Sequence, residues 1–335
     1  MIYYRYIYIY RMIVNNNIYK KIHFSHYGGM KYILNKNQLD ILSKKYIIND
    51  SNLFLSRRIM NLADIVIIPN NFESFCKTDK YIKISKFIDV NSSHLDSDVI
   101  NNINNSNIFF LKPDYVKFFK EKILNIIKKP FKLVTHCSDI EINSSHKDIL
   151  DHKLLLKWFA QNVNYDHPKL ISIPIGIEDL AWNRSNISHI LRLHKNCNSK
   201  KDILLYISRY GKNNNYINRQ EAVNKLIQNG FEQSEYKPWN SYMEDIHRSK
   251  FVFCPWGNGI DTHRFWETYA VNSIPIILKN YFIPKHFSDI KMLVIDDINQ
   301  ITPEFLENKY SELNQRTDYN YNYLNLDYWK DKINE

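Results

Sequence analysis

The segment FVFCPWGNGIDTHRFWETYAVNSIPIILKN, Phe251–Asn280, decides how the rest of the chain is read. Phe251–Cys254 is apolar and short, as a buried strand would be. Pro255–Ile260 is a loop holding two of the chain's seven glycines, Gly257 and Gly259, with Asn258 between them. Those glycines allow close approach of backbone to a ligand, or a positive φ. A helix follows, with Asp261 or Thr262 as its cap. Pro275 then opens a second apolar strand. A strand, loop, helix and strand in this order belong to a parallel α/β sheet. Ligands of such sheets bind beyond the carboxyl ends of the strands, so the loop is the first place to seek a site.

The start of the helix carries the chemistry. Exposed N–H groups at a helix start suit a phosphate. Arg264 and Glu267 are three residues apart and share a face, as do His263 and Glu267 at four. An arginine there can grip a diphosphate through two hydrogen bonds, and a glutamate one turn on can accept from two ribose hydroxyls. Ordinary roles compete. Asp261 at a helix start caps backbone as readily as it meets ligand. Arg264 and Glu267 can be no more than an ion pair worth ~0.5 kcal/mol. Trp256, Phe265, Trp266 and Tyr269 read first as packing. A Gly-x-Gly before a helix is weak alone; its weight here comes from the combination within twelve residues.

Working outward, the alternation continues in both directions. Strands are expected at Asp64–Pro69, Ile108–Leu111, Phe131–His136, Leu170–Ile175, Asp202–Ser208 and Lys291–Ile295. Helices are expected from Pro113, at Asp151–Asn162, Ser185–His194, Arg219–Gln228 with Gly230 as its stop, Trp239–Arg248, Pro303 to about Leu313, and Leu326–Ile333. The polar stretch 196–201 reads as a linker. The expected division is a tail over 1–17, an α/β domain over 18–195, a second over 202–300, and a helical tail over 301–335. Polar clusters fall at strand ends at His136–Asp139, Gly176–Asp179, Arg209 and Gly257–Arg264.

Length and composition bound the rest. The chain has 335 residues, enough for two domains, and 44% hydrophobic content, enough for packed cores. Its net charge of +10 is spread without a long basic block or a zinc-finger or RNP pattern. No nucleic-acid partner is therefore expected, and such binding would show steep salt dependence. Cys76, Cys137, Cys197 and Cys254 form no CxxC pair, so neither a metal site nor a disulfide framework is expected. Reduced thiols suit the cytoplasm. The aromatic N-terminus MIYYRYIYIYRMIV is broken by Arg5 and Arg11 and falls short of the ~20 apolar residues of a membrane span. No transmembrane segment is expected, though a signal-anchor role for this stretch stays open.

GNGIDTHRFWET followed by SIPIIL resembles the carboxyl-terminal signature of exostosin-type glycosyltransferases. THCSD, KWFAQN and IPIGIED look like the branch that includes ribitol xylosyltransferases and its viral and bacterial relatives. The resemblance covers Phe131–Leu278, and departs from the pattern at Asn272, where glycine is common. It implies a GT-B architecture, two Rossmann-like α/β domains facing each other across a cleft. The second domain would hold a nucleotide-sugar, a UDP-sugar by expectation. Arg264 would contact the diphosphate and Glu267 the ribose. Gly257, Asn258 and Gly259 would shape the loop, Asp261 and His263 would stand beside the donor, and Arg209 would add a cation. Basic side chains and helix dipoles would stabilise the leaving diphosphate; no Asp-x-Asp motif is present to hold a metal.

An inverting transfer needs a general base near the acceptor hydroxyl, expected from the first domain. Asp139 leads because it directly follows a strand, His136 is second, and Glu178 and Asp179 remain candidates. The acceptor would be a glycan or glycoprotein. A non-catalytic nucleotide-sugar or glycan-binding protein of the same fold is the rival, and it predicts binding without turnover.

Overall fold

The structure, a computed structural model, describes residues 7–14, 17–24, 47–72, 79–92, 94–178, 186–196, 200–210, 219–279, 283–316 and 319–335. The chain divides into two units, Met1–Ile47 and Ile48–Glu335. In the first, β1 (Ile7–Val14) and β2 (Asn17–Phe24) pair antiparallel, with Ile7 opposite Phe24 and Val14 opposite Asn17. Part of the stretch expected as a tail is therefore a strand. It is rich in the β-branched and aromatic residues that favour extended backbone, and 17–24 supplies its partner.

The second unit is mixed α/β and holds two parallel sheets. The first has six strands: β3 (Ile65–Ile68), β4 (Phe87–Asp89), β5 (Ile108–Leu111), β6 (Phe131–Thr135), β7 (Leu155–Ala160) and β8 (Leu170–Ser172). Their order is β4-β3-β5-β6-β7-β8. The chain first steps outward from β3 to β4, then returns to β3's other side, so the order reverses between β3 and β5. The second sheet runs β12-β11-β10-β9, with β9 (Ile203–Tyr206), β10 (Ser249–Phe253), β11 (Ile274–Leu278) and β12 (Leu293–Ile295).

Seven described helices have eight residues or more. They are α1 (Ser97–Asn104), α2 (Ile187–Lys195), α3 (Arg219–Gln228), α4 (Trp239–Arg248), α5 (His263–Ala270), α6 (Pro303–Gln315) and α7 (Leu326–Asn334). The helix expected from Pro113 is irregular. A 3-10 turn, Pro113–Tyr115, leads through Val116–Phe118 into a π turn, Phe119–Ile123.

Strand alternation sorts the core. Ile65 and Ile67 of β3 face a cluster on the outer side of the first sheet, with Phe109, Phe119 and Trp158. Val66 and Ile68 face the opposite way, into a cluster that also takes Val252, Phe265, Trp266 and Ile277 from the second half. The inner faces of the two sheets thus share one buried core, which is why they fall in one unit.

Three expectations are corrected here. Asp151–Asn162 is not a helix: Leu155–Ala160 is β7, paired between β6 and β8. The run LLKWFA shows no clear alternation to mark it as extended: Leu155, Trp158, Phe159 and Ala160 are buried, whereas the adjacent Leu156 and Lys157 are exposed. Trp158 Nε1 ties β7 to β6 through Thr135 Oγ1 at 2.9 Å. Second, α2, expected in the first domain, packs on α4, and His194 Nδ1 donates to Ala270 O at 2.7 Å. Its stripe of Ile187, Ile190 and Leu193 is buried against the second half's helices, so the crossover precedes the expected linker at 196–201. Third, the stretch 301–335 is no separate tail. In α7, Leu326, Trp329 and Ile333 repeat at helical spacing and are buried. Leu326 N bonds Asn52 O at 2.8 Å, Phe54 N bonds Leu324 O at 2.8 Å, and Lys132 Nζ reaches Ile333 O. The chain's end returns to the first sheet and fastens the two halves.

Asn272 has a φ of 56°. The left-handed turn that ends α5 and enters β11 explains why glycine suits that position; asparagine tolerates it better than most residues.

Candidate functional site

Parallel pairing of β9 with β10, Val252 opposite Tyr206, brings Ser208–Tyr210 and Cys254–Gly257 out side by side at the carboxyl edge. The Tyr210 hydroxyl donates to Phe253 O at 2.5 Å, and its ring meets Phe253 edge-on. Arg264, in the first turn of α5, lays its guanidinium carbon 4.5 Å from the centre of that ring and 5.8 Å from that of Tyr242. Its Nε is buried and has no hydrogen-bond partner. The Tyr242 hydroxyl donates to Glu267 Oε2 at 2.8 Å, and Glu267 is 4% exposed. Arg264 and Glu267 therefore do not form the simple intrahelical pair that their spacing permits. Burial holds the Tyr210 and Tyr242 phenols well above their ordinary range, so both stay protonated donors. Burial also pushes the Cys254 thiol up to about 12, which makes it inert.

A second arginine stands here that sequence reasoning passed over. Arg219, first residue of α3, stacks on Tyr210 at 5.7 Å and donates from Nε to Trp256 O at 2.6 Å. Its Nη2 lies 3.6 Å from where a Cβ on Gly257 would be. Only the strand pairing reveals this closeness; the intervening chain carries no spacing signal. Arg209 goes elsewhere. It is exposed, and its Nη1 lies 3.9 Å from Glu235 Oε2, a screened surface pair.

The glycine loop is shaped by the first half of the chain. Gly257 N bonds Gly259 O at 3.2 Å, and Asn258 is exposed at the tip. A Cβ on Gly259 would come within 2.7 Å of Asn162 Nδ2. Asn162 itself, at φ 54°, accepts from Asp261 N at 2.9 Å and donates to Ser138 O at 2.9 Å. His263 Nδ1 donates to Gly176 O at 2.8 Å.

Asp261 is a tie between the halves rather than a ligand group. The residue is 6% exposed, and its carboxylate accepts from Ile175 N at 2.7 Å, Thr262 N at 2.8 Å and Trp266 Nε1 at 2.7 and 3.0 Å. Burial raises its pKa to about 6 against these hydrogen bonds. The folded state then binds its proton more tightly than the unfolded chain. This contribution to stability is full below about pH 4 and is lost as pH rises through about 6. Asp261→Asn puts an amide N–H against one of these donors, with an expected cost of about 2 kcal/mol at pH 7. It also removes the group's pH dependence. Urea unfolding at pH 4.5 and 7.5 checks both: the wild-type advantage over the variant should shrink at the higher pH.

The other wall lies at the carboxyl edge of the first sheet, beside the β3–β5 reversal where parallel sheets hold ligands. A cavity of about 240 Å³ there is lined by Arg57, Phe72, Lys112, Cys137, Asp139, Gln161, Glu178 and His263, among others. Asp139 and Glu178 are thus together, and His263, one residue before Arg264, shares their cavity. His136 is not on this wall. It is fully buried, its Nε2 donates to Pro174 O at 2.8 Å, and burial pushes its pKa down to about 3. As a neutral structural imidazole it is corrected from its place as second candidate base. Asp179 lies outside the described residues. Arg57, Lys112 and Gln161 were not singled out as site residues in the sequence: Arg57 and Lys112 stand in no motif, and Gln161 sits within KWFAQN, which was read only as part of the resemblance.

Among the described residues, no three His, Cys, Asp or Glu side chains gather to hold a metal ion. No described helix is long and apolar enough to cross a membrane. Cys137 and Cys254 are free thiols, and Cys76 and Cys197 lie outside the described residues.

No family model matches the chain, and no curated protein does. Among solved structures, a glycosyltransferase from Rickettsia africae ESF-5 matches at 12% identity and a TM-score of 0.41. The match covers 84% of this chain and 95% of that one.

Proposed function

We propose that the protein transfers a sugar from a nucleotide-sugar to a carbohydrate or glycoprotein acceptor, with the two sheets acting as the two halves of a GT-B enzyme. The observation that carries the reading is the Arg264 guanidinium. It is framed by Tyr210 and Tyr242 beside the glycine loop, and its Nε lacks a partner. A buried donor without an acceptor is costly, and a diphosphate oxygen would satisfy it. Arg219 brings a second cation to the same ring, so leaving-group charge is met by preorganised guanidinium groups. Glu267 stands one turn along for ribose hydroxyls. The resemblance in GNGIDTHRFWET supports the same assignment, and the acceptor would enter at the Asp139 cavity.

In the inverting reaction, Asp139 takes the proton of the acceptor hydroxyl as that oxygen attacks the anomeric carbon. The bond to the diphosphate breaks with its electron pair on the phosphate oxygen. Arginine charge supports that step without calling on a metal. A panel of UDP- and GDP-sugars with mixed glycan acceptors, read by mass spectrometry, tests the reading. Transferred sugar with released nucleotide supports it; tight nucleotide binding with no transfer to any acceptor would favour the non-catalytic rival.

A further inference from the structure

We infer that Asn162 is a positioning residue of the active site: its side-chain amide fixes the loop that carries Asp139 against the glycine loop, and so sets where the base stands relative to the donor. This rests on the transfer reading above and adds a residue that acts through Asp139 rather than on substrate. Asn162 stands two residues past β7 and is 2% exposed. Its Nδ2 donates to Ser138 O at 2.9 Å, and its Oδ1 accepts from Asp261 N at 2.9 Å. Ser138 directly precedes Asp139, and Asp261 comes three residues before Arg264. One planar group thus bonds the backbone of both half-sites.

The same short segment holds the loop after β6 along its length. Gln161 Oε1 accepts from Cys137 N at 3.0 Å, and Gln161 Nε2 donates to Ser138 O at 3.0 Å. Ile142 N then donates to Asn162 O at 3.0 Å. Among the described residues, no hydrogen bond or ion pair holds the Asp139 carboxylate itself. Its place is set by the backbone that carries it, and two amides pin that backbone at the Ser138 carbonyl.

Backbone strain gathers at this junction. Among the described residues, three other than glycine have a positive φ: Cys137, Asn162 and Asn272. Cys137 opens the Asp139 loop and Asn162 bonds across it. Such conformations cost free energy, persist where their surroundings hold them, and cluster at active sites. On the donor side, a Cβ at Gly259 would come within 2.7 Å of Asn162 Nδ2 and 3.0 Å of Oδ1. Glycine there lets the donor loop lie directly on the amide. Cohesion between the halves has other sources. Asp261 accepts from Ile175 N, and His263 Nδ1 donates to Gly176 O. Both of these bonds reach the segment after β8, whereas the Asn162 amide reaches the loop that carries Asp139.

Asn162→Gly tests this, because glycine accepts the left-handed backbone and the substitution removes the amide. Turnover is followed with the UDP- or GDP-sugar and glycan pair that the panel above selects, and UDP is titrated into each preparation. kcat should fall about 10- to 100-fold, as expected for a base displaced by about 1 Å. UDP affinity and the KM for the nucleotide-sugar should stay within about twofold. In the Asp139→Asn background, Asn162→Gly should cost no more than about twofold further, because no base remains to be misplaced. A loss of equal size in both backgrounds shows a structural role and overturns the inference. Unchanged kcat overturns it, as does a loss confined to UDP affinity. Should Asn162→Gly fail to fold, Gly259→Ala, whose methyl would meet the Asn162 amide, goes through the same cycle, and equal losses in both backgrounds again overturn the inference. If Asp139→Asn keeps full kcat, Asn162 has no base to place and the inference falls. Transfer and UDP binding with additive losses reject only the role of Asn162, whereas a wild-type chain that transfers no sugar rejects the transfer reading and this inference with it.

Discussion

Arg264→Ala should lower kcat/KM for transfer by about 100- to 1,000-fold, the usual loss when one preorganised charge stabiliser is removed. Folding should change little. The guanidinium contributes its stacking on Tyr210 and Tyr242, worth about 1 kcal/mol. Its Nε makes no hydrogen bond to lose. Arg264→Lys should rescue little, because a point charge does not reproduce the planar fork that meets two phosphate oxygens. Glu267→Ala should also depress transfer. There a stability cost accompanies it, since the Tyr242 hydroxyl loses its acceptor within a buried cluster. Steady-state kinetics beside thermal melts separate these effects. A variant at Arg264 with unchanged turnover would sink the site assignment.

The contrast between Arg264 and Arg219 shows what the sequence carries. Arg264 was legible because a strand, two glycines, a cap and a helix stand consecutively, and local spacing fixes which residues share a face. Arg219 lies thirty-eight residues before Gly257 along the chain, and it reaches the loop only because β9 pairs with β10. The same distinction holds for the fold. Strands such as Ile65–Ile68 and Ser249–Phe253 were readable from apolar runs bounded by turn residues. β7 was not, since its exposed residues Leu156 and Lys157 are adjacent and break the alternation that separates strand from helix. α2 and α7 were recognised as helices, but no local feature says which sheet an amphipathic stripe will cover. Asp261 and His136 fell to a related difficulty. A carboxylate or imidazole at a strand end looks alike in sequence whether it faces a ligand or is consumed by backbone groups, as Ile175 N consumes Asp261 and Pro174 O consumes His136.

Asp139→Asn should reduce kcat by about 100- to 10,000-fold, the range for losing a general base, while leaving the KM for the nucleotide-sugar unchanged. Asp139 is exposed at the carboxyl end of β6 and lines the cavity that His263 shares. In the proposed reaction that position would put it on the acceptor side rather than on the diphosphate. His136 cannot substitute. Its Nε2 hydrogen is engaged by Pro174 O, and with a pKa of about 3 the neutral ring takes up no second proton between pH 5 and 8. Any rate limb in that window belongs to another group. Glu178 is the one described competitor, because it lines the same cavity, and Glu178→Gln is the matched control. If Glu178→Gln abolishes transfer and Asp139→Asn does not, the base is Glu178 and the acceptor hydroxyl lies nearer β8. If both variants keep full kcat, no carboxylate of this wall removes the proton, and the inverting mechanism fails even where donor binding at Arg264 stands. The stereochemistry of the product, read by NMR at the new anomeric carbon, then decides whether a base was needed at all.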